Sequence, residues 1–228
     1  MLTDAELDAL LLSLSIAARA TLVGMLLATG FAWLLARYRF PGRSLLDALL
    51  HAPLILPPVV IGFILLLLFG TQGPIGGWLD RTLGWRLAFT ANGAALAAGV
   101  MAFPLMLRAV RLSLEAVDPK LEDAARSLGA GAWDRAFTIT LPLAFPGLVA
   151  AAVVGFAAAL GEFGAVITFA ANIPGETQTL PLAIYSAIQV PGGEASALRL
   201  SLIAFAAALG ALLLSEALLR FGRRRAGR

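Results

Sequence analysis

Two side chains stand where charge is costly. Arg19 and Glu162 each interrupt a long apolar stretch, and an ionisable group at membrane depth must be paired, reach water or serve a function. Arg19 lies about nine residues, ~13 Å, inside the outer end of its stretch, and Glu162 lies at a similar distance from the outer end of another. Three roles are open to Glu162: a structural partner, for which Arg19 is one candidate, a gate on the outer side, or a proton-coupling group. Pro53, Pro57 and Pro58 fall within a single apolar run, where each removes a helix hydrogen bond and forces a kink or break. Such a break shapes helix packing or lines a translocation path. The single histidine, His51, reads as an interfacial side chain more readily than as a proton relay.

Other chemistries are excluded by residue type. The chain has no cysteine and one histidine, so it holds neither a thiol nucleophile nor a His/Cys metal site. Its only lysine, Lys120, follows Pro119 and precedes Leu121, which is not the end of a phosphate-binding loop. The residues imply no cofactor, and a membrane-embedded hydrolase, a third-ranked reading, lacks His/Glu metal spacing and a supported nucleophile–base set.

The elements that carry these residues are membrane spans. Of the 228 residues, 60% are hydrophobic and 14% charged, against about 45–50% and 25% in soluble domains. Five apolar segments, at about Leu10–Ala36, Ala48–Phe69, Ala88–Leu107, Pro142–Phe169 and Ala197–Leu219, reach the ~20 residues needed to cross a ~30 Å hydrocarbon layer. The predicted fold is an all-α polytopic helical bundle, one domain over residues 1–228. A β-barrel needs alternating segments, and the run from Gly62 to Gly70 does not alternate. Leu180–Val190, bounded by Pro-Gly pairs, is too short to span and reads as a re-entrant or surface helix, a sixth element near 178–190.

Charge sets the orientation. Of the 17 lysines and arginines, 13 fall between the first two spans, between the third and fourth, or after the fifth; three fall on the opposite side. The positive-inside rule then predicts an outer N-terminus and a cytoplasmic C-terminus. The net charge of +3 therefore reports membrane orientation and lipid contact, and points to no nucleic acid. Asp4, Glu6 and Asp8 oppose a secretory signal. Near the C-terminus, Glu216 and Arg220 suit an i,i+4 pair and Arg223, Arg224 and Arg225 suit a lipid anchor. Trp78, Trp85 and Trp133 suit membrane interfaces, and the Gly/Ala spacing of the fourth span suits close helix packing.

The connection between the third and fourth spans carries the strongest pattern. Asp118-Pro119 is a helix start. Leu121, Ala124, Ala125 and Leu128 then recur on one face, and Gly129 supplies a stop. The spacing predicts a helix over about 119–129, too short and polar to enter the bilayer. Asp123-Ala124-Ala125, three residues, Gly129, nine residues and Ile139-Thr140-Leu141-Pro142 resemble the EAA signature of type I ABC importer permeases, E-A-A-x3-G-x9-I-x-L-P. Asp123 stands where the consensus has Glu, with Glu122 beside it. The resemblance extends from about Leu11 to Arg225 and is similar to the molybdate permease branch, with sulfate and tungstate permeases alike around Gly161–Gly164 and Asn172–Gly175.

That resemblance implies a non-catalytic inner-membrane subunit forming the path for molybdate. Glu122, Asp123, Ala124, Ala125, Gly129, Ile139, Leu141 and Pro142 would couple it to an ATPase present in two copies; Pro57, Pro58, Glu162 and Arg19 are path or gate candidates. The implied partners are a second copy of the chain, the ATP-binding cassette subunits, a periplasmic molybdate-binding protein and membrane lipid. A permease for tungstate or sulfate is the nearest alternative. A secondary transporter is the rival of another class, and internal halves that would support it are not evident.

Overall fold

The computed structural model describes residues 3–226, with side chains through Leu213. The expected Glu216–Arg220 pair and the Arg223–Arg225 anchor lie outside the described side chains. The first helix, α1 (Asp4–Arg37), opens on a capping box in which Thr3 accepts from the Glu6 amide and Glu6 accepts from the Thr3 amide. It continues past the membrane border at which the sequence pattern placed its start. α2 (Arg43–Ile55) and α3 (Pro58–Phe69) follow. A short α4 (Gly76–Leu83) leads to α5 (Ala91–Glu115). α6 (Pro119–Ser127) and α7 (Ala132–Arg135) run through a π-helical turn, Ala136–Thr140, into α8 (Leu141–Leu160). α9 (Gly164–Ala170), α10 (Leu180–Ile188) and α11 (Glu194–Ala226) complete the chain. No strand occurs among the described residues.

Among the described residues, four continuous helical stretches are long and apolar enough to cross a membrane, and the α2–α3 pair, bent by 115°, is either a broken fifth span or a re-entrant loop. Two expected spans are therefore not continuous. The second breaks at Leu56-Pro57, where Pro58 starts α3 and neither proline can donate to the preceding turn. The fourth breaks between Leu160 and Gly164. The Leu180–Val190 stretch forms α10, whose Tyr185 ring lies 5.2 Å from that of Phe163 beside the second break.

Packing rests on small residues, because lipid tails offer apolar side chains as good a solvent as a neighbouring helix does. On α1 the buried positions include Ala20, Gly24, Ala28 and Ala32, and on α5 Ala94, Ala98 and Ala102. Both series step by four residues, so each helix presents one smooth stripe. Met106 of α5 fills the hollows left by Gly24 of α1 and Gly155 of α8, where an added methyl would overlap its side chain. This α1–α5–α8 core holds both the broken helices and the α6–α7 connection in place.

Candidate functional site

The α6 helix is built as its local sequence requires. Asp118 accepts from the Lys120 amide at 2.9 Å, and Pro119 occupies the first helical position. At the other end Gly129 has φ +88°, its amide donates to Arg126, and the Ala130 amide donates back to Ala125. These bonds form a Schellman ending, which glycine closes without steric strain. The expected apolar face divides in two. Ala125 is half-buried, whereas Leu121, Ala124 and Leu128 are exposed, Leu128 by 89%. Trp133 stacks on Phe137 at 6.0 Å in the adjoining segment and is itself 79% exposed. Leu121, Leu128, Trp133 and Phe137 thus leave an uncovered apolar surface on an otherwise polar connection.

The two acidic residues of the signature diverge. Asp123 is exposed and lies 3.4 Å from Arg126 of its own helix. Glu122 turns inward, where Arg37, the last residue of α1, donates to both its oxygens, one of them at 3.1 Å. The Thr140 hydroxyl donates to Glu122 Oε1 at 2.6 Å. Thr140 is fully buried and ends the π turn. Pro142 has no N–H to continue an ordinary helical ladder there. The variable position of the Ile139-x-Leu141-Pro142 segment thus makes the buried polar contact, which the motif alone did not signal.

Around the breaks, Pro57 and Pro58 are exposed on the surface of the chain. A methyl added at Gly164 would come 2.7 Å from Pro58 Cβ, and one added at Gly62 would come 2.7 Å from the Ala165 carbonyl oxygen. The two breaks, far apart in sequence, are therefore packed against each other. Glu162 sits in the second of them and caps α9, accepting from the Ala165 amide at 2.8 Å. Arg19 is elsewhere. Its neighbour Ala20 abuts Gly99, eight residues into α5 and so about 12 Å from its start. From there its guanidinium reaches back towards the start of α5, to Asn92 Oδ1 at 3.0 Å, as snorkelling side chains do. Arg19 and Glu162 do not pair with each other; a carboxylate with amide donors in reach needs no distant cation. Arg19 instead tops an apolar groove of about 580 Å³ between α1, α2 and α5.

A polar cluster that sequence reasoning missed lies where α2 meets α5. Arg111 binds Asp47 at 3.1 Å and Glu115 at 2.8 Å, and His51 lies 3.2 Å from Asp47. His51 is thereby an anchoring side chain beside Asp47. The i,i+4 spacings of Asp47 with His51 and of Arg111 with Glu115 were legible in the sequence.

Residues 20–224 match the family model described as binding-protein-dependent transport system inner membrane component. The chain belongs to that family. It is a membrane permease subunit of an importer, a role whose family members are non-catalytic. It is 56% identical to the molybdenum transport system permease protein ModB of Escherichia coli (strain K12), over 100% of both chains. It is 39% identical to the sulfate transport system permease protein CysT of the same strain, over 86% of this chain and 70% of that one. The fold matches that of the MetNI methionine ABC transporter in an inward-facing form, with TM-score 0.74 at 16% identity, covering 97% of this chain and 99% of that one.

Proposed function

We propose that two copies of this chain enclose the path by which molybdate enters the cytoplasm, driven by two ATPase subunits docked on α6 and α7. The observation that carries the coupling part is the exposed Leu121, Ala124 and Leu128 face beside the stacked Trp133 and Phe137. It is presented on a helix capped at both ends and so rigid enough to be pushed. In this reading Asp123, Ala124, Ala125 and Gly129 shape the docking surface, and Ile139, Leu141 and Pro142 lead the movement into α8. The likeness over the full chain to a molybdenum transport permease, above that to a sulfate permease, supports molybdate as the substrate.

The meeting of the two helix breaks supports a path at Pro57, Pro58 and Glu162, since non-helical backbone at membrane depth is tolerated where it borders a cavity or protein. Arg19, already bonded to Asn92, serves as an outer-border residue of the path-forming bundle. Neither break gathers a cluster of Arg or Lys among the described residues. Substrate choice then falls to a periplasmic binding protein that releases the anion into the path. The distribution of basic residues supports an outer N-terminus and cytoplasmic α6.

Reconstitution tests the reading. Proteoliposomes holding the permease, its ATPase and the binding protein should accumulate labelled molybdate only with ATP, and excess sulfate should compete poorly. Uptake driven by an ion gradient without ATP would instead establish a secondary transporter.

A further inference from the structure

We infer that Glu122 is a positioning residue that ties the ATPase-facing helix to the spans, so that movement of α6 is delivered to α1 and α8 through its bonds to Arg37 and Thr140. This inference rests on the permease reading proposed above. Three observations carry it. Among the described residues, Glu122 is the only side chain of α6 with a hydrogen bond beyond its own helix; Asp118, Asp123, Arg126 and Ser127 all bond within the helix or its cap. Its two partners belong to different spans, Arg37 ending α1 and Thr140 standing immediately before α8. The tie is also sheltered, with the Glu122 side chain 15% exposed and Thr140 fully buried.

The physical consequence follows from what else holds α6. Its outer residues Leu121, Ala124 and Leu128 are exposed, and the connection that follows, with glycines at 129 and 131, is braced by the Arg135 guanidinium donating to the Ala130 carbonyl and not by any bond to a span. Among the hydrogen bonds of the described residues, the Glu122 bonds are then what ties α6 directly to α1 and to the start of α8. A carboxylate gripped by both arms of a guanidinium has a fixed direction as well as strength, and the Trp33 ring, 5.4 Å from the Arg37 guanidinium, steadies the other side of the grip. The π turn that carries Thr140 is a local irregularity able to adjust as α8 moves.

The test uses the complete importer in proteoliposomes and reads molybdate transported per ATP hydrolysed, alongside recovery of the ATPase with the permease. Glu122→Ala should leave insertion and ATPase recovery intact while transport per ATP falls about tenfold or more, the scale of losing charge-assisted bonds. Thr140→Val, nearly the same shape, should shift the ratio in the same direction by less. The exchange Arg37→Glu with Glu122→Arg should recover coupling relative to Arg37→Glu alone. Unchanged transport per ATP in Glu122→Ala would overturn the inference. So would loss of the ATPase from that variant, which would make Glu122 a docking residue, or failure of the exchange to recover anything. If Glu122→Ala does not insert, wild-type coupling in Thr140→Val overturns it. A wild-type complex that never transports molybdate with ATP would instead defeat the permease reading.

Discussion

Gly62→Ala places one methyl group between α3 and α9. The added carbon would lie 2.7 Å from the Ala165 carbonyl oxygen and 2.7 Å from Thr168 Cβ, whereas carbon contacts are most favourable at about 3.5–4.0 Å. The helices must then separate by about 0.8 Å or more. The nearest obstacle is backbone on a helix fixed by the Glu162 cap, so a side-chain rotation cannot absorb the strain. Overpacking of this kind costs about 1–3 kcal/mol, equivalent to roughly five- to a hundredfold in an equilibrium. If the two breaks must remain in contact for the path to close and open, uptake should fall within that range. ATPase recovery should stay normal, because α6 lies at the far end of α5. The assay is labelled-molybdate uptake in proteoliposomes together with the thermal midpoint of the purified permease. Wild-type uptake with an unchanged midpoint would refute the close approach of α3 and α9.

Ala124→Glu, on the exposed face of α6, should preserve insertion and reduce ATPase recovery by up to about a hundredfold in affinity; recovery equal to wild type would remove Ala124 from the docking surface. Gly129→Val forces a β-branched residue to φ +88° and should lower uptake while abundance in the membrane stays near normal, since no neighbour lies within 4 Å of the new carbon. Single cysteines in this cysteine-free chain should react with an impermeant maleimide from outside at Glu176→Cys and not at Lys120→Cys; the reverse pattern would invert the topology. At the core, Gly155→Ala should lower the thermal midpoint more than Gly24→Ala, because it meets the middle of the Met106 side chain as well as its end; equal shifts would mean that Met106 swings away from both.

Local patterns made much of the molecule legible before any fold was known. Run length gave the all-α bundle, with four continuous spans and a fifth if the bent α2–α3 pair is one span, because a bilayer imposes a fixed thickness. Asp118-Pro119 and Gly129 marked the ends of α6 through bonds made within a few residues. Family membership was likewise signalled by the spacing from Asp123 to Pro142 and by a likeness that runs over most of the chain.

Tertiary structure decided which side chains meet. Glu122 and Asp123 are neighbours of the same charge, and no local rule says that the first finds Arg37 and Thr140 while the second stays in solvent. Depth alone made Arg19 one candidate partner for Glu162, yet the Ala165 amide, three residues on, satisfies Glu162, and Arg19 bonds Asn92 on another span. The α2–α3 prolines foretold a break, but its 115° angle and its contact with the break before α9 depend on the approach that Gly62 and Gly164 permit. Sequence determines what each segment can satisfy by itself in a membrane. Pairings between distant segments depend on how the small-residue stripes of α1, α5 and α8 lock together, and that packing is a property of all three helices at once.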